Sequence, residues 1–141
     1  MKTNLKNIFN PGTQETHTSV ALLVLRVAVG SFMLTHGIGK MLMLFSDQPI
    51  AFPDPIGLGF TVSLTLAFFA EAVCSVLLIL GIATRASTLP LLVTMFIAGF
   101  IIHATNPFMV KELALLYFTI YSVLLITGAG KYSLDYLIYR K

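Results

Sequence analysis

The sequence predicts an all-α integral membrane protein, a four-helix bundle with both termini in the cytoplasm. Three observations carry that prediction. Of 141 residues, 57% are hydrophobic and only 11% charged, against roughly a quarter charged in soluble domains; mean hydropathy is +0.89. The apolar residues fall into four runs near the length that crosses a bilayer as a helix. The flanking cations also segregate. Lys2, Lys6, Arg85, Lys131, Arg140 and Lys141 fall at one end of such a bundle, Lys40 and Lys111 at the other, and the cation-rich end belongs in the cytoplasm.

The composition also narrows the function classes. A net charge of +3 spread along helix ends gives no groove-sized basic patch, so nucleic acid is not an expected partner; the lipid bilayer is. Cys74 is the single cysteine, which rules out a dithiol redox pair within the chain. Among apolar neighbours it reads as a packing residue. No cleavable signal is expected, because the first apolar run follows a polar leader and is interrupted by Arg26.

Residues 1–18 form that leader, broken at Pro11-Gly12. The first span is expected over about 19–37, with Arg26 near its middle and Gly30 and Ser31 offering a close approach to a neighbour. His36 and Lys40 share a face one turn apart near its far end. Residues 46–58 hold three prolines, Pro49, Pro53 and Pro55, and two aspartates, Asp47 and Asp54; that spacing of prolines permits no regular helix. The stretch reads as a loop long enough to fold over the mouth of the bundle.

The second span is expected over about 59–82 and carries Glu71, with Ala67, Cys74, Ser75 and Leu78 on the same face. That small and polar face is the natural inward one. The third span is expected over about 87–103, with Pro90 tolerated in its first turn and His103 at its end. The fourth is expected over about 111–127, and Gly128-Ala129-Gly130 stops it. The tail 128–141, rich in tyrosine, is expected to lie at the membrane interface.

An ionised glutamate inside hydrocarbon costs several kcal/mol, so Glu71 needs a partner or a cavity. Measured from the expected helix ends, Arg26 lies about 12 Å and Glu71 about 15 Å from the inner boundary, which makes an Arg26–Glu71 pair the expected one. A second group gathers at the opposite mouth: His36, Lys40, His103, Asn106, Lys111 and Glu112. Histidines at such a level suit proton exchange with a quinone head group. Ligation of a haem by His36 and His103 is the weaker reading, and hydrogen bonding at helix ends is the plain one. Tyr117 and Tyr121 read first as packing or hydrogen-bonding residues.

Several short motifs then stand together in order. Arg26 precedes His36-Gly37-Ile38-Gly39-Lys40; Phe52-Pro53-Asp54-Pro55-Ile56-Gly57 and Phe69-Ala70-Glu71 follow. After these come Leu80-Gly81-Ile82-Ala83-Thr84-Arg85, the segment from His103 to Glu112, and Gly128-Ala129-Gly130-Lys131-Tyr132-Ser133-Leu134-Asp135. The series resembles the DoxX family of small bacterial membrane proteins, over about residues 20–137. The resemblance implies a four-helix domain over 19–137 in the bacterial inner membrane. It also implies association with redox systems, since the related DoxD proteins are subunits of thiosulfate:quinone oxidoreductase. The positions it carries over are Arg26, His36, Lys40, Glu71, Arg85, His103 and Glu112.

The expected function is a membrane subunit or accessory of a quinone-linked oxidoreductase, working with partner subunits; whether it is itself an enzyme, and whether it forms a homo-oligomer, the sequence leaves open. His36, Glu71, His103 and Glu112 are the expected catalytic residues, and Arg26, Lys40, Arg85 and Tyr117 the expected ligand-binding ones. No phosphate loop for a flavin or nicotinamide is recognisable, no metal site is expected, and quinone is the one cofactor the pattern favours. The alternative is a non-catalytic scaffold or a small-solute transporter.

Overall fold

A computed structural model describes residues 16–139, so most of the expected leader lies outside the described residues. Every element among them is helical. Four helices are long and apolar enough to cross a membrane: α1 (Thr16–Leu44), α2 (Phe60–Leu80), α3 (Thr84–Ile102) and α4 (Phe108–Thr127). A short α5 (Leu134–Tyr139) follows. The first helix is longer at both ends than expected. Thr16 to Thr18 already belong to it, and the run after Lys40 continues it to Leu44.

The bundle is an open circuit. α1 packs along α2, the inner part of α2 packs on α3, and α3 packs along α4, whereas α4 and α1 touch only lightly. Hydrophobic burial holds it together, around Leu22, Val29, Met33, Leu78, Leu91 and Leu124. The face expected to turn inward on α2 does so: Ala67, Glu71, Cys74, Ser75 and Leu78 are all buried. Gly37 sets the spacing of α1 and α2, because a Cβ there would lie 2.6 Å from the Ala72 backbone nitrogen. Only a residue without a side chain lets the two backbones come this close.

Two π-helical turns interrupt the regular winding, Phe69–Cys74 in α2 and Ile97–Ile102 at the end of α3. Between them the helices part. The first half of α2, Phe60–Phe68, packs on α1 and does not pack closely on α3. The fork this leaves lies at the end of the bundle that carries the loop 45–59.

At the other end, where the described chain starts and finishes, α2 and α3 join through Gly81 and Ala83, both in the left-handed region at φ 69° and 46°. Gly81 is the ordinary residue for that conformation; Ala83 adopts it under constraint. The constraint comes from the tail. The Ala83 and Thr84 amides donate to the Asp135 carboxylate at 2.7 and 2.9 Å, and the Asp135 amide donates to the Gly81 carbonyl at 2.8 Å. Asp135 thereby caps α3 from a distant part of the chain. The tail is thus folded into the terminal end of the bundle, with Ser133 and Asp135 buried.

Candidate functional site

The expected Arg26–Glu71 pair does not form. Arg26 is fully buried beside the end of α2, where it donates to the carbonyls of Leu78 at 3.0 Å, Ile79 at 3.4 Å and Tyr132 at 2.6 Å. The nearest opposite charge acting on it is Asp135. Glu71 instead takes Lys40, at 2.5 Å. The reason is register. Depths counted from helix ends assume that α1 and α2 stop at one plane, but α1 continues past α2 at the terminal end and the tail fills the space beside it. Gly130 lies against Ser19 and Leu22 there. Arg26 is therefore level with Leu78, and Glu71 with Gly37, a separation of roughly 15 Å along the helices.

Gly37 also explains the pair that does form. It brings α1 against the backbone of Glu71 and Ala72, and Lys40, one turn further along the same face, reaches back to the carboxylate. The glutamate side chain is 5% exposed and the lysine 20%. An ion pair this far from water persists because neither charge has a cheaper place to go. His36 lies near enough to Glu71 to act on its charge, and its ring meets Tyr117 edge-on with centroids 6.5 Å apart. Tyr117 in turn stacks on Tyr121 at 5.9 Å. Tyr117 is among the expected ligand-binding residues, whereas Tyr121 is not among the expected site residues; its place four residues along α4, on the same face, is the available signal.

The pair borders a cavity of about 510 Å³ in the fork between α2 and α3. Leu66, Ala67, Phe69 and Ala70 of α2 form one wall, and Val93, Ile97 and Ala98 of α3 the other. Lys40, Glu71 and His103 are its ionisable groups, whereas the hydroxyls of Ser63 and Thr94 are spent on Asp54 and on the Pro90 carbonyl. Such a volume, apolar with a few convergent polar groups, is that of a small-molecule site. A π turn lies on each wall, a feature frequent at functional sites: Glu71 is within one, and the His103 amide closes the other on the Ala98 carbonyl at 3.0 Å.

The loop forms the roof, through Phe52, Pro53, Pro55 and Ile56, with the Lys40 ammonium 5.9 Å from the centre of the Phe52 ring. Asp54 pins it. Its carboxylate accepts from the Leu58 and Gly59 amides at 2.9 and 2.8 Å and from the Ser63 hydroxyl at 2.8 Å. The Ser63 hydrogen bond, then those from the backbone, hold this carboxyl below its ordinary value of 3.8.

The expected site residues thus separate. Lys40, Glu71 and His103 share the cavity; His36 and Tyr117 stand beside the ion pair without lining it. Glu112 is exposed on α4, away from the cavity. Lys111 donates to the Ala104 carbonyl. Arg26 and Arg85 are at the opposite end, Arg85 donating to the Ile126 carbonyl at 3.1 Å.

The model of the family described as DoxX matches residues 21–104, a stretch that includes every residue lining the cavity. An uncharacterized protein of Haemophilus influenzae is 32% identical over 134 residues, covering 90% of this chain and 97% of that protein. A second uncharacterized protein of the same organism is 32% identical over 128 residues, covering 86% of this chain and 85% of its own length. No solved structure matches the chain.

Proposed function

From the premise that this chain belongs to the DoxX family, we propose that it is a quinone-linked membrane subunit whose site is the roofed cavity between α2 and α3. The observation that supports this reading is the Lys40–Glu71 pair facing open, apolar-walled space, with His103 on the same cavity. The fit is chemical as well as spatial. A quinone ring needs flat apolar walls, which Leu66, Phe69 and Ile97 supply, and proton donors at its oxygens, which an imidazole and a carboxylic acid supply.

A bound quinone contributes the capacity to take up two electrons and two protons. Glu71 and His103 hold and exchange the protons. Lys40 pairs with the Glu71 carboxylate between exchanges, His36 and Tyr117 position the pair from beside it, and the roof excludes water. Electrons come from a partner protein. The cation-rich terminal end faces the cytoplasm of a bacterial inner membrane on this reading, and the cavity lies in the half of the bundle nearer the other side.

The test is quinone content. Protein in nanodiscs supplied with ubiquinone or menaquinone is captured, washed and extracted, and the extract is assayed by its reduced-minus-oxidised ultraviolet spectrum. Glu71→Gln keeps the shape and removes the charge. It is expected to lower quinone affinity about tenfold, equivalent to 1.4 kcal/mol, read per folded molecule because loss of the ion pair also lowers thermal stability. Equal occupancy in wild type and variant overturns the reading, and solute flux in sealed vesicles that depends on Glu71 replaces it with transport.

A further inference from the structure

We infer that the cavity is loaded sideways from the bilayer, between α2 and α3, by a ligand that carries a hydrocarbon tail. This rests on the quinone reading above and extends it to the route and to the substrate class, a lipid-phase molecule as opposed to a water-soluble one. Three residues that line the cavity are also half-exposed: Leu66 at 50%, Phe69 at 46% and Val93 at 51%. All three belong to helices that cross the membrane, so what faces them outside is lipid. A wall residue that also faces lipid marks an aperture in that wall.

The two alternative directions do not lead into the bilayer. Towards the loop end the roof of Phe52, Pro53, Pro55 and Ile56 stands over the space, tied to the start of α2 by the Asp54 clasp; Ile56 is itself 50% exposed, but it belongs to a loop outside the membrane-crossing helices and opens no way into the bilayer. Towards the terminal end α2 and α3 pack together below Glu71. The charges agree with this geometry. Glu71 is buried and the Lys40 ammonium lies against Phe52 of the roof, while the aperture between Leu66 and Phe69 on one helix and Val93 and Ile97 on the other is apolar throughout. A head group reaching the ion pair leaves its tail passing between these side chains into the membrane, at no cost in buried polar groups.

A matched pair of benzoquinones with one head group, one bearing a decyl tail and one none, tests this in nanodiscs of phosphatidylcholine. Binding is measured by extraction of captured discs across a concentration series. The tailed compound is expected to bind at least about tenfold more tightly than its partition into lipid alone accounts for. Val93→Trp fills the aperture from its lipid-facing side. It is expected to weaken the tailed compound about tenfold and the tail-less one by less than about threefold. Val76→Trp is the control, since Val76 is 42% exposed and does not line the cavity; it is expected to change neither. Equal affinity for the two compounds, or a Val93→Trp effect no larger than that of Val76→Trp, overturns the lateral route and leaves the quinone site standing. Failure of both compounds to bind the wild-type chain removes the quinone reading and this inference with it. Phosphatidylcholine that stays bound and competes with the tailed compound assigns the aperture to a structural lipid and overturns the proposal.

Discussion

Two groups of charged side chains sit at opposite ends of one bundle, and they differ in what surrounds them. At the terminal end Arg26, Arg85 and Asp135 are bonded to backbone groups: the carbonyls of Leu78, Ile79, Tyr132 and Ile126, and the amides of Ala83 and Thr84. At the loop end Lys40 and Glu71 bond to each other and border a cavity. A guanidinium forked onto carbonyls ties three segments of chain together, and its one unpaired nitrogen, Nε, is buried away from the cavity. A carboxylate paired with one flexible amine can exchange that partner for a ligand. An ionisable residue inside a membrane is a functional hypothesis by default; here the identity of its partners separates the structural case from the candidate site.

The strongest way to break this comparison is to remove Arg26. Arg26→Leu removes the side-chain donor to the Leu78, Ile79 and Tyr132 carbonyls, of which Leu78 keeps the Gly81 amide, releases the tail from α2 and deprives Asp135 of its opposite charge. The expected cost is about 3–5 kcal/mol, seen as a collapse in folded yield and in thermal stability in detergent. Arg26→Lys, with one point of donation, is expected to rescue only part of it. Whatever protein folds is expected to bind quinone normally. A well-folded Arg26→Leu protein that lacks quinone would move Arg26 into the site and erase the distinction.

Asp135→Ala comes next. It removes the cap on α3 and opens a strained turn, at an expected cost of about 1–2 kcal/mol, read as a lower unfolding temperature with unchanged quinone occupancy per folded molecule. The smallest effect belongs to Asp54. A carboxyl depressed on folding contributes its stability above its ordinary value of 3.8 and loses it as pH falls through the lower folded value. The clasp is therefore intact at neutral pH and releases only below about pH 4. Asp54→Asn is expected to raise amide exchange at Leu58 and Gly59 roughly tenfold without a shift in global unfolding. Unchanged exchange would mean that the roof is held by its prolines alone.

The four spans, their order and the inward face of α2 were legible in the sequence because each depends on runs and periods within one segment. The pairing of charges was not. It depends on how far α1 slides past α2, and that slide is fixed by Gly130 packing on Ser19 and Leu22 and by Tyr132 docking on Arg26, contacts more than a hundred residues apart in the chain. The same distance hid the role of Asp135, which reads as a tail residue and acts as a cap. Lys40 was legible as a candidate but not as the partner of Glu71, since Gly37 had to be recognised as the point of closest approach. Asp54 was legible only as part of a loop.

The Arg26–Tyr132 bond spans 106 residues and the Asp135 bonds to Ala83 and Thr84 span 52 and 51. This gives the bundle an order of completion. Arg26 enters the bilayer with the first span, and the start of α3 is exposed as soon as the third is inserted. Neither is fully satisfied until residues 132–135 have left the ribosome and folded back. A chain interrupted before that point carries an incompletely paired guanidinium and an open helix start inside the membrane, while its cavity walls are already made. The motif at the tail therefore works as a fastener applied last. It lets a finished molecule be told from a truncated one by the charges that remain uncovered.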